Sequence, residues 1–228
     1  MEGNHRLNAS FFGEASLFSQ HTPLARRESS TRKIHPTKPA FRVLGVAECF
    51  NKKQRRSIIA AVSYRRDSVI DGFYITWVSV GGLDATDKIA QLVRETQRKD
   101  LNIIMLNGCI ISWFNIVDIF SLYEELGIPV ICLSYEESDG LEKYIREYFP
   151  GEEERLRLYR KLGERERVYI KATKSYVYAR FAGLSEREVR EVLNLLTLHG
   201  KTPEPLRLAQ SLARSIHDFL AKNDPTFL

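Results

Sequence analysis

The sequence predicts an α/β fold: a mixed sheet of three antiparallel strands followed by parallel α/β units, flanked by helices. Two observations carry this. Residues 41–49, 57–64 and 69–80 are rich in Val, Ile, Tyr and Ala and are separated by charged or glycine-bearing turns, the pattern of consecutive antiparallel strands. From Asp84 onward, helical periods alternate with short apolar runs, which calls for parallel strands joined by right-handed crossovers.

The elements follow in order. Asp84 reads as the N-cap of a helix to about residue 98, with Ile89, Leu92 and Val93 on one face. Residues 103–118 read as a buried strand, a glycine turn at Asn107-Gly108 and a helix start at Asn115, the edge where open α/β sheets bind ligands. That helix is expected over 115–126, stopped by Gly127 and Pro129 before a strand at 130–134. Charged helices are expected over 140–149 and 152–162, the second laced with Arg and Glu and largely solvated. Residues 167–181 have hairpin composition. Ser185 and Glu188 form a capping box before Val189, Val192, Leu193 and Leu196, and Pro203 opens a last helix whose Leu206, Ala209, Ala213, Ile216 and Leu220 make a narrow apolar seam.

At 228 residues and 43% hydrophobic, the chain is expected to hold one domain over 39–228 behind a basic arm over 1–38, where Phe11, Phe12, Leu17 and Phe18 are the apolar exceptions. No apolar run reaches the roughly 18 residues that span a bilayer, so a soluble, cytoplasmic protein without membrane partners is expected. The arm holds +3 of the formal net charge of +5. Cys49, Cys109 and Cys132 lack CxxC spacing and read as buried thiols, and five scattered histidines argue against a histidine metal site.

Four separated motifs occur in one order: Arg42-Val43-Leu44-Gly45-Val46, Gly82-Leu83-Asp84-Ala85-Thr86, Phe114-Asn115-Ile116-Val117-Asp118 and Pro203-Glu204-Pro205-Leu206-Arg207-Leu208-Ala209. Together they resemble the archaeal domain-of-unknown-function family ninety-nine, which is related to endonuclease V. The resemblance covers residues 34–219 and implies a ribonuclease H-like fold. It also implies a carboxylate site for Mg²⁺ or Mn²⁺, which would activate water for phosphodiester hydrolysis. The chain departs from that pattern where the charge should be. Where the family reads Gly-Ile-Asp-Asp-Gly, this chain reads Gly45-Val46-Ala47-Glu48-Cys49; Asn107-Gly108 stands for Asp-Gly, Gly81 for another Asp, and Trp113 for a glycine.

The candidate catalytic residues are Glu48, Asp84, Asn107 and Asp118, with Glu48 and Asp118 the candidate metal ligands. Strand alternation puts Glu48 on the face opposite Ala47, so it replaces the missing Asp only if a bulge or the strand end redirects it. Asp84 and Asp118 also read as helix-terminus residues, and Asn115 as the cap of the helix that follows it. The candidate nucleic-acid contacts are Lys52, Lys53, Arg55 and Arg56 in the first turn, Arg65 and Arg66 in the second, Asn115, and Arg207, whose alternative use is pairing with Glu204. Trp113 and Phe114 read as core aromatics, with base stacking the alternative.

Three functions are compatible with this. The first is an endonuclease V-like protein with a degenerate metal site that binds DNA or RNA, cleaves weakly or not at all, and needs no cofactor. The second is an active Mg- or Mn-dependent endonuclease using Glu48, Asp84 and Asp118. The third is a structural or assembly protein, a homodimer meeting through the arm and the last-helix seam.

Overall fold

The computed structural model describes residues 34–224 and 226–228. The arm's residues 1–33 lie outside them. Strands β1 (Arg42–Cys49), β2 (Arg56–Arg65) and β3 (Ile70–Ser79) form the expected meander, followed by helix α1 (Ala85–Glu95) and strand β4 (Ile103–Asn107). A two-residue hairpin, β5 (Ile110–Ile111) and β6 (Asn115–Ile116), precedes helix α2 (Ile119–Leu126) and strand β7 (Val130–Ser134). Helices α3 (Glu142–Tyr148) and α4 (Glu153–Lys161), strands β8 (Glu166–Ile170) and β9 (Ser175–Ala182), and helices α5 (Glu186–Leu196) and α6 (Glu204–Asn223) complete the chain.

The main sheet has the order β3-β2-β1-β4-β7-β9-β8, with β1, β4 and β7 parallel and the other neighbours antiparallel. The hairpin expected at 167–181 therefore does more than stand alone: β9 pairs along the whole of β7, and the sheet gains an antiparallel edge. Each face buries its own core. Leu44, Val46 and Ile59 meet Ile89 of α1 and Leu122 of α2 on one side. Val43, Met105 and Ile131 meet Val189 of α5 and Leu206 of α6 on the other, with Ile34, the first described residue of the arm, packed among them.

One close approach fixes how α6 crosses the sheet. A Cβ at Gly45 would lie 2.4 Å from the Pro205 carbonyl oxygen and 2.7 Å from its Cβ, so the first and fourth motifs are two halves of one contact. Leu206, Ala209 and Ala213, three of the five residues of the expected partner-facing seam, are buried by this packing, so that part of the seam covers the chain's own β1 and β2.

Two further expectations are corrected. Cys109 and Cys132 are not free thiols but a disulfide, with Cα atoms 5.9 Å apart. The parallel register that sets Leu106 beside Cys132, with the turn at Gly108, brings them together although 23 residues separate them. Helix α4 is not solvated throughout: Arg155, at 1% exposure, is among the largest fully buried side chains.

Gly45→Ala should therefore cost about 1–3 kcal/mol, the usual range for overpacking, or prevent folding. Urea denaturation checks this; a stability unchanged within error would mean that α6 does not seat on β1 at this point.

Candidate functional site

The carboxyl ends of β1 and β4 meet where a ligand site is expected. Val46 pairs with Leu106, so the next residues, Ala47 and Asn107, are neighbours on adjacent parallel strands and face α6. There Asn107 Nδ2 donates to Gln210 Oε1 at 2.6 Å, and Gln210 Nε2 donates to the Glu48 carbonyl at 2.8 Å. Gln210 thus closes this corner with amides and a methyl group. Sequence reasoning passed it over, although a polar residue directly after Ala209 in an apolar seam is a legible exception.

Glu48 stays on the opposite face. β1 pairs regularly with β2 from Arg42 through Cys49 and the Glu48 carboxylate turns to Ser112 and Ser57, so neither a bulge nor the strand end redirects it. Its Oε2 accepts the Ser112 amide at 2.7 Å, the Ser112 hydroxyl in a shorter bond, and the Ser57 hydroxyl at 3.2 Å. Burial raises the Glu48 pKa above the ordinary carboxylate value, and the Ser112 and Ser57 bonds offset it only in part.

Ser112 opens an unusual loop. Ser112, Trp113 and Phe114 have φ of +45°, +63° and +62°, three successive non-glycine residues in the left-handed region. Buried Arg155 holds it: Nη1 donates to the Gly82 carbonyl at 2.9 Å and, in a shorter bond, to the Phe114 carbonyl. Nη2 donates to the Gly81 carbonyl at 2.7 Å, and both Nη2 and Nε reach Glu152 Oε2, at 2.8 and 3.0 Å. The guanidinium also lies over the Phe149 ring at 3.9 Å. The Gly81 amide in turn donates to the Ser112 carbonyl at 2.7 Å.

The expected caps exchange roles. Asp84 occupies the N-cap position of α1, but its carboxylate accepts from the Ser79 amide, the Ser79 hydroxyl at 2.9 Å and Asn115 Nδ2 at 2.6 Å. Fully buried Asn115 supplies the cap instead, its Oδ1 taking the Ala85 amide at 3.0 Å. Asn115 is therefore not the cap of α2, which begins at Ile119 rather than at 115. Asp118 is that cap, accepting from the Phe120 and Ser121 amides and pairing with Lys161 Nζ at 2.5 Å. Burial pushes the Asp118 pKa up, but the Lys161 ammonium and the Ser121 hydroxyl and amide outweigh it, leaving the carboxyl below its ordinary value.

The four candidate residues thus do not share one centre: Asn107 faces α6, Glu48 binds Ser112, Asp84 binds Ser79, and Asp118 binds Lys161. Among the described residues no group of three or more His, Cys, Asp or Glu side chains is placed to hold a metal ion. The basic candidates divide as well. Lys52, Lys53 and Arg55 are exposed beside the carboxyl end of β1, while Arg56 turns to the C-terminus, donating to the Phe227 carbonyl at 3.1 Å. Arg65 and Arg66 lie at the other end of ten-residue β2, roughly 30 Å away, Arg65 pairing with Asp67 at 2.5 Å and Arg66 donating to the Thr37 carbonyl at 2.9 Å. Arg207 pairs with Glu204.

Past the Gly108 turn a cavity of about 580 Å³ opens between β4, β7 and the segments around α3 and α4, lined by Ser134, Tyr159, Arg165, Tyr178 and Arg180 with the disulfide at its wall. Arg165 donates to Ser134 and to the Glu136 carbonyl, and Arg180 to the Gly163 carbonyl at 2.9 Å. No described helix is long and apolar enough to cross a membrane.

A meander leading into parallel strands, with its edge at β1 and β4, defines the ribonuclease H-like fold. Ciona intestinalis endonuclease V, solved with DNA containing an inosine followed by a ribo-adenosine, superposes with a TM-score of 0.52 at 12% identity over 79% of this chain and 87% of that one. A protein of unknown function from Archaeoglobus fulgidus superposes with a TM-score of 0.67 at 27% identity, covering 77% and 98%. A UPF0215 protein of Methanosarcina barkeri is 34% identical over 182 residues, 78% of this chain and 92% of that protein. The profile of the Endonuclease dU family matches residues 39–217, and the chain belongs to that endonuclease V-related archaeal family.

Because all three bonds to Glu48 fall on Oε2, Glu48→Gln should keep them through its single carbonyl oxygen while removing a buried charge. A raised folded pKa means stability is lost as pH rises through it, so the variant should melt above the wild type at pH 7 and converge with it in acid. Thermal melts across pH 4–8 read this, and a variant less stable at every pH would contradict it. Arg155→Lys should destabilise by several kcal/mol in urea melts, since one ammonium cannot reach three carbonyls and Glu152; a loss under about 1 kcal/mol would show that the clamp is dispensable.

Proposed function

We propose that this Endonuclease dU-family chain binds nucleic acid and cleaves it weakly or not at all. The neutral corner of Ala47, Asn107 and Gln210 carries the reading. A divalent cation of the Mg²⁺ kind gives up its water only to anionic oxygens, and this corner offers amides, one of which donates its hydrogen to the other. The donor set does not fit the ion, so this corner lacks the means to activate a metal-bound water.

Binding is supported by the fold neighbour solved with DNA and by Lys52, Lys53 and Arg55, exposed cations in no ion pair among the described residues. The 580 Å³ cavity with Arg165 and Arg180 lies on the same edge and is of a size for one small ligand group. The family's name favours a second reading, an active Mg- or Mn-dependent endonuclease. Against it, Glu48, Asp84 and Asp118 are each engaged with donors of the fold.

Gel-shift titrations with single- and double-stranded DNA and RNA test the proposal. The expected result is salt-dependent binding with a log–log slope of roughly −2 for three phosphates on a single strand, nearly abolished in Lys52→Ala/Lys53→Ala/Arg55→Ala. Failure to shift any nucleic acid at low salt would overturn it. Nicking that requires Mn²⁺ and is lost in Glu48→Gln would establish the second reading instead.

A further inference from the structure

We propose that Trp113, with Lys52 and Tyr148, is a base-stacking platform for single-stranded nucleic acid; this rests on the nucleic-acid-binding reading above and names the form of the ligand. The first observation is how the indole is held. Ser112 is buried, yet Trp113 directly after it is only half-buried, and its side chain meets Phe114 at 5.2 Å and Tyr148 at 4.8 Å between ring centroids. Tyr148 is itself 48% exposed, so the aromatic group continues to the surface.

The second observation is conformational. A bulky residue at φ +63° within three successive positive-φ residues is strained, by about 1–3 kcal/mol at each such residue, and persists only where its surroundings over-determine it. Here the fixing bonds all act on the neighbours: Glu48 on Ser112, Gly81 on the Ser112 carbonyl and Arg155 on the Phe114 carbonyl. The backbone is locked from below while the ring projects to the surface, so little freedom remains to be lost when a planar ligand stacks on it.

The third observation is chemical. Lys52 Nζ lies 3.6 Å from the indole ring centroid, and in the same turn Lys53 and Arg55 are exposed. A π-face bordered by the mobile Lys52 ammonium, with Lys53 and Arg55 one and three residues further along the same turn, matches a base and its adjoining phosphates, and the face suits a single strand because duplex bases keep their faces stacked on one another.

The test uses full-length protein carrying Trp77→Phe, so that Trp113 is the sole tryptophan emitter, titrated with a fifteen-residue oligothymidylate. Saturable quenching of Trp113 fluorescence is expected, with far weaker quenching by duplex DNA. Trp113→Gly removes the ring while suiting the positive φ; it should weaken oligothymidylate binding roughly 10- to 100-fold at a nearly unchanged melting temperature, with Trp113→Phe recovering part of the affinity. Unchanged Trp113 emission while a gel shift reports binding would overturn the platform and leave the nucleic-acid reading standing. Absence of any binding would overturn both. Equal quenching by polyglutamate would show a site for acidic chains and overturn the base-stacking assignment.

Discussion

The buried Arg155 guanidinium is the interaction on which this edge of the sheet depends. Its five N–H donors are directed to three backbone carbonyls and one carboxylate, drawn from the loop after β3, the β5–β6 turn and the start of α4. Among the described residues, the Gly81–Ser112 bond is the backbone hydrogen bond that joins the loop after β3 to the β5–β6 turn. Without the guanidinium, three carbonyls would be left unpaired beneath the surface, each costing about 1–3 kcal/mol. A planar fork suits the task because its donors diverge in fixed directions, whereas an ammonium serves as a point.

With that clamp in place, the four motifs lock the chain in pairs. Gly45 lets Pro205 approach β1, seating α6. Gly82 is hemmed by Ser79, Asp84 and Asn115, whose carboxylate and amide join the second motif to the third. Thr86 accepts the Asp118 amide at 2.9 Å, a further bond between the same two motifs. Residues that the endonuclease V resemblance marks as neighbours of a metal are thus satisfied by the fold itself, and the corner where charge is expected holds Ala47, Asn107 and Gln210.

Much of the fold was legible because strand alternation, helical period and the Ser185 capping box are local properties of a few residues. What escaped was non-local. Asn115 looked like the cap of the helix beside it, and it caps a helix that starts 30 residues earlier. Cys109 and Cys132 become neighbours only through the parallel register of β4 and β7. Arg155 is indistinguishable in sequence from the solvated arginines of α4, because the three carbonyls it holds lie about 40 and 70 residues away. Of the candidate site, the strand edge and the uncharged side chains of Ala47 and Asn107 were readable; Gln210, Ser112 and the strained loop were not, since each matters through what tertiary packing sets beside it.

The central claim is that the β1–β4 corner offers no anionic site for a divalent cation, and Mn²⁺ binding followed by electron paramagnetic resonance tests it most directly. The account predicts that the free Mn²⁺ signal stays undiminished at micromolar metal in the wild type, and that the double variant Ala47→Asp/Asn107→Asp creates a saturable site. A stoichiometric micromolar site in the wild type, lost in Asn107→Ala, would contradict it.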